Sequence, residues 1–364
     1  MSDATGHRSP KSENQPANDD VVEIAPGILR LMLPVFLPGL GHVNCYAIED
    51  ARGIALIDPG LPDGASHEAL RQRLASVGLD ISNVHTVVIT HSHHDHYGGV
   101  ARLAQLDTRH PLQVVAHRGF GSKWHAAYDG VDIGEDSTDL LERPLEEIEA
   151  IAARMVRPTP WGEVTPQIPA EPLRQYAHGI GIRASMRPPE PTTIVTDADH
   201  LELGGVRYQI VHTPGHADDH ICLWGEANGV FFSGDHVLPH ITPHISGITA
   251  YEDPLGEFFR SLERMGEFSA ATIVLPAHGD PFSDLPGRAQ AISDHHVERL
   301  ERVRAIGAEV GDADVAAYMR LLFRERSWGG MASSETFAHL EWLRLHDGAV
   351  RTEVDGRLRY DLGS

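Results

Sequence analysis

Cysteine and long apolar segments are both scarce in this chain. Cys45 and Cys222 are the only cysteines, too few for a disulfide framework, and each lies in an apolar segment typical of a buried strand. No apolar run approaches the roughly 20 residues that a membrane-spanning helix needs. The first twenty residues are polar and lack the apolar region of a secretory signal. These absences predict reduced thiols, no membrane segment and a cytoplasmic location.

Positive charge is also scarce, and lysine is nearly absent. The 30 Lys and Arg residues face 52 Asp and Glu residues, so the formal net charge is −22, and Lys11 and Lys123 are the only lysines. A protein that binds nucleic acid without sequence preference, or an anionic membrane, needs a basic surface. The composition therefore argues against both kinds of partner. Histidine is abundant instead, with 24 residues, many of them in short clusters.

The order of predicted strands and helices indicates a large α+β domain over residues 21–310, preceded by a polar, disordered tail over residues 1–20. Within the domain, short apolar strands separated by turns are followed by helices, and this pattern occurs twice. Two such halves favour two sheets packed face to face with helices outside, an αβ/βα four-layer sandwich. They argue against a single doubly wound parallel sheet.

A segment of different character, about residues 131–192, interrupts this domain. Between Asp139 and Val156 apolar residues recur every three or four positions, which predicts a helix, and the residues that follow are rich in proline and glycine. We interpret the segment as a helical insertion over one face of the core. It is either a surface helix with a loop, or a lid that forms one wall of a substrate pocket.

Residues 311–364 predict a small module of two helices and a hairpin that is similar to a winged helix. The helices are predicted at Val315–Phe323 and Ser334–Leu345, and Asp355-Gly356 is a strong hairpin signal between two alternating strands. Seven arginines and nine acidic residues leave the module without a basic face. We therefore favour a structural module, compatible with a homodimer, over one that binds DNA.

The densest histidine cluster follows a predicted strand. It reads His91-Ser92-His93-His94-Asp95-His96, and imidazole and carboxylate groups are the ligands that zinc and similar divalent ions prefer. A turn that ends a strand can direct alternate side chains toward one point. His91 and His93 are therefore expected to converge, with Asp95 and His96 at a second point nearby. Because unpaired buried charge is costly, a metal site explains the cluster better than a structural role.

Three further motifs place ligand-type side chains directly after apolar strands. They are His212-Thr213-Pro214-Gly215-His216, Ser233-Gly234-Asp235-His236 and Leu275-Pro276-Ala277-His278-Gly279. With the first cluster they form four loops at the ends of four strands, which predicts one metal-binding edge of the sandwich. Independent structural histidines would not be expected to share this placement.

The histidine motifs resemble those of the metallo-β-lactamase-fold hydrolases. THSHHDHYGG at residues 90–99 matches the family pattern THxHxDHxGG, the later motifs follow in the family's order, and Asp58 in LIDPG matches its early acidic motif. The resemblance covers about residues 22–310. The C-terminal module resembles that of the branch with glyoxalase II and lactamase-beta-2-like proteins. The family implies a centre of two divalent ions, most commonly zinc, with iron or manganese as alternatives.

The resemblance also implies a role for each matching residue. Three histidines would bind the first ion, an aspartate and two histidines the second, and one aspartate would bridge them: His91, His93 and His216; Asp95, His96 and His278; Asp235. Asp58 is expected either to orient a ligand imidazole or to be a turn residue only. Asp95 is also a candidate catalytic residue that carries a proton to the leaving group.

The remaining histidines near these motifs have no assigned place in the family pattern. His244, on a proline-rich loop after the bridging position, is a candidate catalytic residue that contacts substrate or protonates the leaving group. His94 and His236 are expected to be exposed or packed beside the ligands. His295 and His296 lie in a predicted helix and are expected at the surface.

The implied chemistry is hydrolysis by a hydroxide that two bridged metal ions generate from water. The first hypothesis is cleavage of a carboxylic ester, thioester or lactone in a small-molecule or acyl-carrier-linked substrate. An endoribonuclease or phosphodiesterase of the same fold is the second, which the net charge opposes. A mononuclear iron dioxygenase acting on a thiol or persulfide is the third. The class B β-lactamases lack an aspartate at the position of Asp235, so antibiotic hydrolysis is not expected as the main role.

Overall fold

Two large mixed sheets form the centre of the molecule, for which the computed structural model describes residues 11–37, 39–128 and 142–363. The first sheet has seven strands that lie side by side in chain order. They are β1 (Val21–Ala25), β2 (Ile28–Leu37), β3 (Leu40–Asp50), β4 (Gly53–Ile57), β5 (Val84–Val88), β6 (Gln113–His117) and β7 (Thr193–Val195). Strands β1 to β4 pair antiparallel and β4 to β7 pair parallel. Short turns join the antiparallel strands, whereas parallel strands need longer crossovers.

The second sheet has five strands, and all but one pair of neighbours are antiparallel. They are β8 (His200–Leu203), β9 (Val206–His212), β10 (Ile221–Gly225), β11 (Val230–Gly234) and β12 (Ile273–Pro276). Every residue of β10 and β11 is buried. Such continuous apolar runs are typical of strands that are covered on both faces.

The helices of the described residues are mostly short and lie outside the sheets. They are α1 (Gly64–Ser76), α2 (His94–Tyr97), α3 (Val100–Leu103), α4 (Ser122–Tyr128), α5 (Leu145–Arg154), α6 (Ala170–Ala177), α7 (Ile182–Met186), α8 (Pro254–Glu263), α9 (Leu285–Val310), α10 (Val315–Leu322) and α11 (Gly330–His346). A search of the described residues for a helix long and apolar enough to cross a membrane finds none.

Three hydrophobic clusters define the layers. One contains Tyr46 of the first sheet and Phe232 of the second, so it lies between the two sheets. A second packs Leu70 of α1 against the outer face of the first sheet, and a third packs Phe258 of α8 and Val303 of α9 against the outer face of the second. The layers are therefore stacked in the order helix, sheet, sheet, helix. The predicted α+β four-layer sandwich is confirmed.

The predicted insertion forms a small helical unit with its own apolar cluster. Ile148 of α5, Leu173 of α6 and Met186 of α7 are all buried in that cluster. Residues 129–141, which include the first part of the insertion and the start of the helix predicted from Asp139, lie outside the described residues. The described part of that helix, α5, runs from Leu145 to Arg154.

The C-terminal residues contain the two helices and the hairpin expected from the sequence. Strands β13 (Ala313–Asp314), β14 (Val350–Val354) and β15 (Arg357–Asp361) form a three-stranded sheet beside α10 and α11. The hairpin turns at Asp355 and Gly356, which both have positive φ, as a two-residue turn between twisted strands requires. Tyr318 of α10 and Leu340 of α11 share one apolar cluster with α8 and α9. The module is thus packed on the larger domain.

The chain before β1 differs from the prediction of a disordered tail over residues 1–20. Residues 1–10 lie outside the described residues, but Ser12 and Glu13 are buried against the domain. The Glu13 carboxylate accepts hydrogen bonds from the backbone N–H groups of His240 and Ile241, at 2.6 and 3.0 Å. The Glu13 side chain thus serves backbone donors of another loop, a contact that composition does not reveal.

The expectation that His295 and His296 lie at the surface is wrong for His296. Its side chain is fully buried between α8, α9 and α11, where Nδ1 lies 3.2 Å from Nε2 of His339. The ring also packs edge-on against Phe258. The apolar spacing of α9 is weak, so the sequence pattern did not indicate that this face is covered.

Candidate metal centre

Four loops at one edge of the sandwich carry the predicted ligands. β5 leads into the loop of His91 and His93, and β9 leads into the loop of His216. β11 ends one residue before Asp235, and β12 ends two residues before His278. The structure therefore brings together, at one place, side chains that are up to 187 positions apart in the chain, 278 − 91.

A first group consists of His91, His93, His216 and Asp235. One potential ligand atom from each residue lies within 4.8 Å of the others. Nδ1 of His93 is 2.9 Å from Nε2 of His91 and 3.1 Å from Nε2 of His216. Oδ2 of Asp235 is 3.5 Å from Nε2 of His216. Three imidazole nitrogens and a carboxylate oxygen thus face one point.

A second group consists of Asp95, His96 and His278, whose ligand atoms also lie within 4.8 Å of one another. Nε2 of His278 is 3.4 Å from Oδ2 of Asp95 and 3.4 Å from Oδ1 of Asp235. Oδ2 of Asp235 is also 3.7 Å from Nε2 of His96, so the Asp235 carboxylate lies between the two groups and close to both.

The donor atoms fit a pair of divalent cations. Among the described residues, Nε2 of His96, Nε2 of His278 and Oδ1 of Asp235 are buried and have no hydrogen-bond partner. Buried polar atoms in folded proteins are normally paired, so three unpaired atoms that converge need another partner. Imidazole nitrogen and carboxylate oxygen are preferred ligands of zinc and related ions.

The comparison with protein families agrees with this geometry. A family model described as the metallo-beta-lactamase superfamily matches residues 38–278. The chain belongs to this superfamily. Membership in the metallo-beta-lactamase superfamily makes the protein a metal-dependent hydrolase, and the fold implies that the centre binds divalent metal ions. The resemblance identified from the motifs is confirmed.

Individual relatives cover most of the chain at modest identity. The lactamase-like protein adaB of Aspergillus niger is 26% identical over 353 residues, which are 96% of this chain and 82% of that protein. An atrochrysone carboxyl ACP thioesterase of Emericella nidulans is 28% identical over 220 residues, 58% of this chain and 67% of that protein. The crystal structure of a metallo-beta-lactamase family protein from Thermus thermophilus matches with a TM-score of 0.70 and 28% identity, over 93% of this chain and 99% of that one.

Hydrogen bonds on the outer ring nitrogens hold three of the candidate ligand histidines in orientation. Nδ1 of His96 donates to Oδ2 of Asp58 at 2.9 Å. Nδ1 of His278 donates to the backbone oxygen of His42 at 2.6 Å, and Nδ1 of His216 donates to that of His244 at 2.7 Å. Each bond places the proton on Nδ1 and leaves Nε2 free to bind a cation. Of the two expectations for Asp58, the geometry matches the one that orients an imidazole.

His220 supports the centre and was missed in the sequence. It is fully buried, and its Nε2 accepts a hydrogen bond of 3.0 Å from the backbone N–H of Asp235. Its Nδ1 lies 2.7 Å from Oγ1 of Thr213. A Cβ at Gly234 would come within 2.5 Å of Nε2 of His220, so only glycine fits there. The sequence offered one signal: His220 immediately precedes β10, and the neighbouring strands β9 and β11 are each followed by a candidate ligand.

Burial keeps the histidines of the first group uncharged. It lowers the pKa of His91 and His93 well below the usual range and, despite the opposing charge of Asp235, lowers the pKa of His216 to about 4. His96 differs, because the carboxylates around it, chiefly Asp95 and Asp58, outweigh burial and raise its pKa to about 9. The carboxylates of Asp235 and Asp95 likewise raise the pKa of His278 above its usual range despite burial, so the second group attracts positive charge.

The two predicted catalytic side chains both line a cavity beside the metal centre. Asp95 is buried there, and the imidazoles of His96 and His278 hold its pKa below the usual range despite burial. Nδ1 of His244 lies 3.4 Å from Oε2 of Glu335. Burial lowers the pKa of His244 to about 4, so at neutral pH its ring has no imidazolium proton to give a leaving group. Contact of His244 with substrate stays a prediction.

His94 and His236 were expected to be exposed or packed beside the ligands; His94 is half-buried, whereas His236 is packed in the interior. His94 lines the same cavity, and its ring lies 5.1 Å from that of Tyr97. His236 is fully buried against the ring of Phe258. Neither belongs to the two ligand groups.

We expect the metal-free protein to lose stability between pH 6.5 and about 4. Burial lowers the pKa of His42 and His117 to about 4 and that of His236 to about 3. Because the unfolded chain binds these protons near pH 6.5, the stabilisation is complete above that pH and is lost as the pH falls toward the folded-state pKa values. Urea unfolding of chelated protein at pH 7.5, 6.0 and 5.0 measures how steeply the free energy of unfolding falls with pH, the slope that the assignment predicts.

Two variants test the origin of this slope. His117→Gln should make the slope shallower, whereas His200→Gln, which changes an exposed histidine, should leave it unchanged. An unfolding midpoint that stays constant from pH 7.5 to 5.0 would contradict the assignment of buried neutral histidines.

Proposed function

We propose that this metallo-beta-lactamase superfamily protein is a dinuclear hydrolase of carboxylic esters, thioesters or lactones. The observation that carries the proposal is the position of Asp235, with one oxygen 3.5 Å from Nε2 of His216 and the other 3.4 Å from Nε2 of His278. Each ligand group has at least three donors, and the Asp235 carboxylate is close to both groups. This arrangement supports two neighbouring metal ions that act on the same scissile bond of the substrate. An acyl-carrier-linked or small-molecule substrate is favoured, since one relative is named an acyl-carrier-protein thioesterase.

The ligand assignment follows from the two groups. His91, His93 and His216 would hold one ion and Asp95, His96 and His278 the other, with Asp235 shared. Two divalent ions bound there supply an activated water as nucleophile and polarise the scissile carbonyl oxygen. Asp95 lies in the cavity wall next to this point, where its carboxylate can pass a proton from the attacking water to the departing thiol or alcohol.

Electrostatics favour a carboxylic acyl substrate over a phosphodiester. Among the described residues, no lysine or arginine lines the cavity that contains both His93 and Asp95, and the basic residues of the adjoining cavity at His93 are Lys123 and Arg157. A phosphodiester substrate needs positive charge for its backbone, and the chain carries a net charge of −22. A mononuclear dioxygenase would need only one ligand group, whereas both groups have a full set of donors here.

We expect about two divalent ions per chain in protein isolated without chelator, as a bridged site requires. The same preparation should hydrolyse members of a panel of thioesters, aryl esters and lactones, and should leave bis-p-nitrophenyl phosphate nearly untouched. Metal analysis by mass spectrometry and a thiol-release assay measure both. A metal-loaded protein that cleaves none of the carboxylic substrates would overturn the proposal, and oxygen uptake with a thiol substrate would support the dioxygenase instead.

A further inference from the structure

A cavity of about 480 Å³ adjoins the metal centre at His93 and Asp95. Its walls come from parts of the chain that are far apart in sequence. Trp161, Ile168 and Met186 belong to the predicted insertion, and Met331 belongs to the first turn of α11. The insertion and the C-terminal module thus meet over the site. The volume is within the usual range for pockets that bind small molecules.

The side chains of this cavity, which we call the acyl pocket, are mainly apolar. Leu37, Leu61 and Tyr176 add to the apolar residues from the insertion and α11. Its ionisable groups away from the metal centre include His244 and Glu163. The Glu163 carboxylate accepts a hydrogen bond of 2.8 Å from Nε1 of Trp161, which fixes a negative charge in the wall. Such a surface favours an apolar group and disfavours an anion.

We propose that the acyl pocket binds the acyl part of the substrate and selects an uncharged, apolar acyl group longer than acetyl. The proposal rests on the hydrolase function proposed above and names the substrate class of the same site. The carbonyl carbon lies at the metal centre with the acyl chain in the pocket. Water adds to that carbon, the carbon–sulfur or carbon–oxygen bond breaks, and the thiol or alcohol leaves with a proton from water, so the free acid remains.

Three thioesters of N-acetylcysteamine test chain length and charge on an uncharged carrier. Acetyl, hexanoyl and adipyl thioesters differ only in the acyl group, and adipyl has the length of hexanoyl with a terminal carboxylate. Each buried methylene contributes roughly fourfold in binding. We expect kcat/KM of the metal-loaded protein for the hexanoyl thioester to exceed that for either of the others at least tenfold. Equal values for acetyl and hexanoyl would overturn the proposal.

Two substitutions test whether the preference for the hexanoyl thioester arises in the acyl pocket. Ile168→Trp fills the cavity, and Met331→Asp puts a second negative charge at a side chain that is 65% exposed, where folding is not at risk. Both should lower kcat/KM for the hexanoyl thioester at least tenfold and change that for the acetyl thioester less than threefold. Val350→Asp, at an exposed apolar residue of the same module outside the pocket, is the matched control and should change neither. If either pocket variant lowered kcat/KM equally for the hexanoyl and acetyl thioesters, the assignment of this cavity to the acyl group would be contradicted.

A binding measurement separates failure of the pocket from failure of the hydrolase function. S-hexyl and S-methyl thioethers of N-acetylcysteamine cannot be hydrolysed, and calorimetry should show at least tenfold tighter binding of the hexyl compound, lost in Ile168→Trp. If no thioester, ester or lactone is cleaved but this preference is found, the hydrolase proposal fails and the pocket assignment stands. If thioesters are cleaved and the preference is absent, the pocket assignment fails alone.

Discussion

The Asp235→Ala variant is expected to lose both metal ions to a large extent and nearly all hydrolytic activity. Its carboxylate lies close to ligand atoms of both groups, so no other described side chain has the same place in the site. Loss of a hydrogen-bond partner behind a ligand typically costs roughly 10–100-fold in metal affinity or activity. Loss of a ligand shared by two ions should exceed that range. Metal content and kcat/KM of protein purified without chelator are the measurements.

A matched variant shows whether the loss comes from metal binding or from the removal of any buried carboxylate. Asp219 is also buried and near the centre, but it belongs to neither ligand group and accepts a hydrogen bond from Ser92. Asp219→Ala should keep the metal content of the wild type. Circular dichroism shows whether both variants are folded. A folded Asp235→Ala protein that retains two ions would rule out the bridged centre.

The convergence of the ligand loops could be predicted because each loop directly follows an apolar strand. Strands such as β11 and β12 are recognisable from their runs of apolar residues, and a side chain placed just after a strand has few directions available. The four-layer architecture follows from the same strands and the helices between them. His91 and Asp235 thus reach the same edge although the sequence separates them by 144 positions, 235 − 91.

The contacts behind the ligands could not be predicted, since they depend on how distant segments pack. Glu13 serves backbone donors at positions 240 and 241, and His220 holds the backbone of Asp235 from a neighbouring strand. His296 is buried because α8 and α11 cover it. None of these residues lies in a periodic pattern that marks its partner. Local spacing identifies the edge of a sheet, whereas the partner of a buried polar side chain is a tertiary property.

Asp58→Asn is expected to remove the second ion selectively. Asp58 accepts from the backbone N–H of Thr90 at 2.9 Å and from Nδ1 of His96 at 2.9 Å. Its φ of 54° lies in the left-handed region, which asparagine tolerates, so the backbone is not strained by the change. One amide oxygen can still accept from Thr90, but the NH₂ group then faces His96. His96 would move its proton to Nε2, where it blocks metal binding.

The hydrogen bonds of Asp58 also determine how large the loss of metal and activity should be, and which second variant serves as a control. We expect metal content to fall from about two ions toward one and kcat/KM to fall roughly 10–100-fold, with little change in the urea midpoint. Asp58→Ala leaves three buried donors, the Thr90 N–H, the Thr90 hydroxyl and Nδ1 of His96, without their acceptor and should also destabilise the fold by about 3 kcal/mol. The two variants thus separate orientation of His96 from structural support. If Asp58→Asn retains two ions and full activity, Asp58 is a turn residue only and does not set the tautomer of His96.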